Sequence, residues 1–145
     1  MKKIFGAMFL LILSSHAFSN QGQLLVEKST DTASSNRPET FSCKIYSDRV
    51  EIVRSLGYEN IVFSQTQAIN VAGNIFETLN DAKREQYKID QTICQSGKMS
   101  IVAYSGAGPD AAFKLAEKIN CDHAGQREGF NSKVLLRFVT RVCGE

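Results

Sequence analysis

Histidine is scarce in this chain, which limits the catalytic and metal-binding sites that it can form. Of the two histidines in 145 residues, only His123 lies beyond residue 19. There is no CxxC pair, and the C-x-H spacing at Cys121-Asp122-His123 matches no recognised ligand geometry. The GxSxG elbow, the GxGxxG fingerprint and the Walker pattern are absent as well. We therefore predict no metal, no cofactor and no assignable catalytic residue.

The sequence also lacks an excess of charge once its N-terminus is set aside. The formal charge of +2 comes from 17 basic and 15 acidic residues. Lys2 and Lys3 belong to a predicted leader, so removing these two leaves 15 basic against 15 acidic residues. No basic cluster is longer than the Lys83-Arg84 pair. A near-neutral chain is atypical of proteins that bind nucleic acid or anionic membrane surfaces, so we expect neither partner.

The first 19 residues have the pattern of a secretory signal peptide. Two lysines precede the apolar run Ile4–Leu13, and small residues follow at Ser15, Ala17 and Ser19. This run is too short for a membrane-spanning helix, which needs about twenty residues. We predict a signal peptide at 1–19, a mature form without a membrane anchor, and a bacterial periplasmic or secreted location.

The remaining chain reads as an arm followed by one domain. Residues 20–40 are mostly polar and rich in Ser and Thr, which predicts a flexible N-terminal arm. The alternative is an arm that docks on a partner through Leu24–Val26. Residues 41–145 are expected to form a single disulfide-stapled domain.

Local patterns predict an α+β fold with a small sheet of three to five strands. One long helix and one or two shorter helices would pack on it. The firmest element is a helix over 65–88, with apolar residues at helical spacing. Residues 48–56 are ambiguous, with a slight preference for helix over strand. The other expected elements are strands at 42–47, 61–63, 99–105 and 133–142, and a helix at 109–120.

The four cysteines, an even number in an exported domain, predict two disulfides, with a metal site as the alternative. If the two late strands are parallel and joined by the helix between them, Cys94 and Cys121 lie at the same end of the sheet. Cys143 then lies about 25–30 Å away, at the far end of its strand. A disulfide requires Cα atoms within about 7 Å. This arrangement predicts Cys94–Cys121 and Cys43–Cys143, whereas antiparallel strands would leave the pairing open.

One turn carries the features of a weak anion site. Ser105, Gly106 and Gly108 follow a predicted strand and precede a predicted helix, where free backbone N–H groups can hold an anion. Pro109 removes one donor, and Asp110 places a negative charge where the anion would lie. The alternative is an ordinary tight turn in which Asp110 complements the helix dipole.

The loop over 124–131 carries Arg127 and Phe130, an arginine and an aromatic residue of the kind enriched in interface hot spots. The alternative is that Phe130 caps the core.

We predict that the chain is an exported, non-enzymatic protein that binds another protein, such as a periplasmic inhibitor, an immunity-type factor or a secreted interaction protein. One alternative is a small hydrolase that uses carboxylates, Glu117 with Asp110 or Asp122. Another is a binder of a small anionic ligand at the Ser105–Asp110 turn.

Overall fold

The computed structural model shows an eight-stranded antiparallel sheet with two helices. It describes residues 22–32, 38–57, 61–90, 97–120 and 122–144. The elements in chain order are β1 (Leu24–Thr32), β2 (Glu39–Tyr46), β3 (Arg49–Leu56), β4 (Ile61–Ala68), α1 (Ile75–Arg84), β5 (Tyr87–Asp90), β6 (Lys98–Tyr104), β7 (Ala112–Ile119), β8 (His123–Arg127) and α2 (Phe130–Cys143).

The sheet consists of two meanders joined at its centre. Its strand order is β4-β3-β2-β1-β6-β7-β8-β5, and every neighbouring pair is antiparallel. The first meander runs from β1 out to the β4 edge, and the second runs from β6 to β8. The segment that contains α1 carries the chain from the β4 edge to β5, the strand at the opposite edge. The two edges therefore consist of β4 and β5.

The core lies between the two helices and the central strands. Helix α2 buries Leu135, Val139 and Cys143 along one side. These positions are four residues apart, which places them on one helix face. Helix α1 adds Leu79 and Ala82. The fully buried large side chains from the strands are Leu25, Val26, Cys43, Ile45 and Leu115.

The α+β class is confirmed, but the sheet is larger than expected. It has eight strands rather than three to five. The expectation of a flexible arm over 20–40 does not hold for Leu24–Thr32, which form β1 in the middle of the sheet. The arm was predicted because β1 is mostly polar; only Leu25 and Val26, near its start, are fully buried apolar residues.

Two elements of the last third are the reverse of the expectation. The predicted helix at 109–120 is a short 3₁₀ turn followed by strand β7. A β-bulge opposite Ile101 and Val102 inserts one residue into β7, so that the adjacent Leu115 and Ala116 are both buried. This bulge interrupts the alternation of the strand and produces an apolar spacing that resembles a helix. The predicted strand at 133–142 lies within helix α2.

The middle of the chain also differs from the expectation. The long helix predicted over 65–88 is divided into the end of β4, a connection, the shorter helix α1 and the start of β5. Helix α1 begins directly after Gly73 and Asn74, the two residues that weaken helix propensity. Residues 49–56 form β3 rather than a helix. The β-branched Val50, Ile52 and Val53 favour this outcome.

A disulfide joins Cys43 in β2 to Cys143 at the end of α2, with the Cα atoms 5.8 Å apart. The Cys43–Cys143 pairing was predicted, but the parallel strands from which it was derived do not exist. Cys94 and Cys121 lie outside the described residues. A structural disulfide indicates an oxidising compartment. In the described part of the chain, neither helix has the length and apolar character needed to cross a membrane.

Candidate protein-binding surface

The solvent-facing side of α2 combines exposed apolar and basic residues. We define the α2 outer face as Phe130, Lys133, Val134, Arg137 and Arg141, which are all exposed. Their spacing of three, four or seven residues places them on the side of the helix opposite to its buried row. The Phe130 side chain is 79% exposed and Val134 is 39% exposed. The face therefore presents two apolar side chains beside three cations.

The cations of this face have no acidic partner within the described residues. The sequence of α2, FNSKVLLRFVTRVC, contains no Asp or Glu. The ion pairs formed elsewhere involve other basic residues, and none includes Lys133, Arg137 or Arg141. A local charge of +3 thus lies on a chain that is close to neutral beyond residue 19. Such a patch attracts an acidic surface.

Glu85, just beyond α1, caps the N-terminus of α2. Its carboxylate accepts hydrogen bonds from the backbone N–H groups of Asn131, at 2.9 Å, and Ser132, at 2.8 Å. These are first-turn donors that have no partner inside the helix. Burial raises the pKa of Glu85, but hydrogen bonds from Ser132 and Asn131 outweigh it and hold the pKa below its usual value. Gly129 permits this approach, because a Cβ there would collide with the Glu85 carboxylate.

Arg127 joins three elements immediately before α2. Its Nε donates to the Lys114 carbonyl in β7 at 2.9 Å, and its Nη1 donates to the Glu85 carbonyl. The guanidinium also lies 5.3 Å from the centroid of the Phe113 ring and 6.0 Å from that of Tyr87. The strand β8 that leads into α2 is therefore held against β7 and the end of α1.

The C-terminus of α2 is fixed by a covalent bond and a buried cation. The Cys43–Cys143 disulfide attaches the last helical residue to β2. Lys28 of β1 is 7% exposed, and its Nζ donates to the Gly144 carbonyl at 2.8 Å. A cation at a helix C-terminus stabilises the carbonyls left unpaired there. Both ends of α2 are thus attached to the sheet, and its outer face is presented on a rigid element.

The two predicted partner-binding residues, Arg127 and Phe130, lie where β8 leads into α2 but are in different environments. Phe130, at the first position of α2, is displayed to solvent and does not cap the core. Arg127 is half-buried and uses its guanidinium on internal carbonyls and rings. Contact with a partner at either position stays a prediction. The expected loop over 124–131 is divided into β8, a two-residue connection and the start of α2.

The predicted anion-binding turn lacks the helix on which the prediction depended. Ser105, Gly106 and Gly108 follow β6, but the chain continues through a 3₁₀ turn into β7. Both the backbone N–H and the hydroxyl of Ser105 bond to the Ala111 carbonyl, at 3.0 and 3.2 Å. Anion binding there stays a prediction without the support of a helix N-terminus.

A polar cluster on β5, β7 and β8 surrounds Glu117. One carboxylate oxygen accepts a hydrogen bond from the Tyr87 hydroxyl at 3.1 Å and lies 3.4 Å from His123 Nε2. The other oxygen lies 2.6 Å from Lys114 Nζ. His123 Nδ1 is 2.9 Å from Asp122, so the imidazole lies between two carboxylates. Glu117 and Asp122, one of the two carboxylate pairs considered above, are thus linked through His123.

Hydrogen bonds and burial set the electrostatics of this cluster. Burial raises the pKa of Glu117, but hydrogen bonds from Lys114 and Tyr87 outweigh it and lower the pKa. Hydrogen bonding to Asp122 raises the pKa of His123. Burial, and then the Glu117 charge, raises the pKa of Tyr87 above its usual value. A carboxyl that acts as a general acid near neutral pH needs a raised pKa, which Glu117 does not have.

The other carboxylate pair is far apart. Asp110 precedes β7 and Glu117 lies near its far end, so that seven residues of mostly extended chain, about 20 Å, separate them. Paired carboxylates in glycoside hydrolases are about 5–10 Å apart. Among the described residues, no group of three or more potential ligands is arranged to hold a metal ion.

Sequence reasoning missed the α2 outer face because it interpreted this segment as a strand. The signal was present in the i, i+4, i+8 spacing of Lys133, Arg137 and Arg141. Glu85 as a cap was not predictable, because it is 46 residues away from the N–H group of Asn131.

The fold and the α2 outer face define a class: an α+β domain that presents a tethered, basic and partly apolar helix on an antiparallel sheet. No protein-family model, curated protein or solved structure matches this chain.

Proposed function

We propose that this chain is an exported, non-enzymatic protein that binds an acidic protein through the α2 outer face. The exposure of Phe130 beside three cations that have no acidic partner among the described residues is the observation that carries the proposal. An aromatic residue with arginines is typical of the residues that dominate binding energy at interfaces. The partner surface would supply carboxylates opposite the cations and a shallow apolar recess for Phe130.

The attachment of α2 favours binding by a preformed surface. The Glu85 cap, the Arg127 contacts and the Cys43–Cys143 bond hold both ends of the helix. A rigid binding element loses little conformational entropy on association, so more of the contact energy is retained as affinity. An inhibitor or an immunity-type factor in the periplasm fits this description, as does a secreted interaction protein.

Charge reversal on α2 tests the proposal. Tagged wild type is cross-linked in the organism that makes it and recovered, and the proteins bound to it are identified. The affinity of each recovered partner is then measured by titration with the wild type and the variants. We expect R137E/R141E to weaken binding of the recovered partner at least tenfold, about 1.4 kcal/mol. The matched control R84E/K98E reverses two exposed cations elsewhere and should leave the affinity within twofold. Equal loss in both variants, or in neither, contradicts the proposal.

A substitution at Phe130 tests the apolar part of the surface in the same experiment. Phe130→Ser should also weaken binding of the partner at least tenfold. Val62→Ser, at an exposed residue of β4, should leave this binding unchanged. Because Phe130 is 79% exposed, this substitution leaves the fold unchanged. Recovery of lipid or nucleic acid in place of an acidic protein, with the same dependence on Arg137 and Arg141, would also contradict the proposal.

A further inference from the structure

The two edges of the sheet differ in length and in protection. The β5 edge is four residues long, YKID, and carries Lys88 and Asp90. The β4 edge is eight residues long, IVFSQTQA, and contains neither a charged residue nor proline. Short strands, charges and proline are the devices by which natural proteins prevent pairing at a sheet edge. The β4 edge has none of them.

In the part of the chain that the structure describes, strand β4 is also uncovered on both faces from Val62 to Ala68. It pairs with β3 over all eight residues, from Ile61 to Ala68, and no other strand among the described residues pairs with its opposite side. The side chains from Val62 to Ala68 are all exposed, with Val62 at 61% and Phe63 at 58%. Leu56 and Val53 of the neighbouring β3 are a further 38% and 37% exposed. The described residues thus leave an uncharged, partly apolar edge open to another strand.

We propose that β4 pairs antiparallel with β4 of a second copy of this chain, making one continuous sheet across a two-fold axis perpendicular to it. In an isologous antiparallel pair the residues at the centre of the strand lie opposite their own copies, so a charged residue there would face its own like charge. The strand contains none. The near-neutral chain beyond residue 19 adds little repulsion between copies.

The other edge does not offer a comparable partner. Pairing of β4 with β5 of the next copy would use only four residues and would place Lys88 and Asp90 against an uncharged strand. That head-to-tail contact would also be open-ended and extend into filaments. In β4–β4 pairing, the β4 edge of each copy is used once, so the assembly closes as a dimer. The inference is independent of the α2 outer face.

Analytical ultracentrifugation of the chain without residues 1–19, the predicted signal peptide, tests the pairing under oxidising conditions. We expect wild type to show a concentration-dependent monomer–dimer equilibrium that Ser64→Lys, at the middle of β4, shifts at least tenfold toward monomer. Ser64 is exposed, so the variant should fold, which far-ultraviolet circular dichroism verifies. The matched control Ile89→Lys, at an exposed residue on the β5 edge, should leave the equilibrium unchanged.

Hydrogen exchange identifies the interface. Amides at alternate positions of β4 should exchange more slowly as the wild-type concentration rises, and those of Ser64→Lys should not. R137E/R141E should dimerise like wild type. If wild type stays monomeric up to about 1 mM, its dimer has a dissociation constant weaker than 1 mM, and the inference is overturned. Dimers insensitive to Ser64→Lys, or open-ended oligomers, would overturn it too.

Discussion

Replacing Cys43 and Cys143 together by alanine is expected to lower the free energy of unfolding by about 4 kcal/mol. The two cysteines are 100 residues apart in sequence, so the bond closes a loop that includes most of the fold. A cross-link over a long loop removes much conformational freedom from the unfolded chain. The loss of the bond also frees the end of α2 from β2.

Urea denaturation of the double variant against oxidised wild type measures this loss. Reduced wild type is the control, and it should lose at least as much stability as the variant. The m-value should rise, because the unfolded chain without the cross-link is less compact and exposes more surface to urea. A loss below about 1 kcal/mol would contradict the assignment of this bond as a main tether of α2.

Glu85→Ala is expected to cost about 2 kcal/mol at neutral pH. The substitution removes a carboxylate that accepts two N–H groups at the start of α2. Loss of a helix cap costs about 1–2 kcal/mol, and hydrogen bonds to a charged group are at the upper end of the range. Gly129→Ala should be destabilised in the same direction, because its Cβ displaces the carboxylate.

The pH dependence distinguishes a cap from simple packing. The folded-state pKa of Glu85 is lowered, so its contribution is present above the unfolded-state value, about 4.3, and is lost as the pH falls through the folded-state pKa. Wild type and Glu85→Ala should therefore converge in stability toward low pH. Glu77→Ala, at an exposed residue in the first turn of α1, should change stability by less than about 0.5 kcal/mol. A constant difference between wild type and Glu85→Ala from pH 7 to pH 3 would contradict the cap.

The class of the fold could be predicted from composition and pattern, but the identity of several elements could not. The residues of β7 include Ala112, Lys114 and Glu117, which favour helix. The bulge in β7 also interrupts the alternation of buried and exposed residues that is typical of a strand. Only pairing with β6 and β8 explains why this segment is extended. Conversely, the β-branched residues of α2 favour a strand, while its buried Leu135, Val139 and Cys143 follow the helical period.

The candidate surface was predictable in chemistry but not in position. The combination of Phe130 with an arginine predicts an interface residue, and its side chain is 79% exposed. Arg127 was selected for the same reason, but its hydrogen bonds are to carbonyls of residues 13 and 42 positions away. Contacts of that range depend on tertiary packing. The basic row that accompanies Phe130 becomes apparent only when α2 is recognised as a helix.

Site-specific photo-cross-linking at Val134, at the centre of the α2 outer face, tests the central claim most directly. The probe is introduced into the otherwise wild-type chain in the organism that makes it, and a probe at exposed Lys98 is the control. We predict a single main adduct at position 134, with a protein whose cross-linked segment is rich in Asp and Glu, and no such adduct at position 98. Absence of a protein adduct at 134, or the same adducts at both positions, would contradict the account.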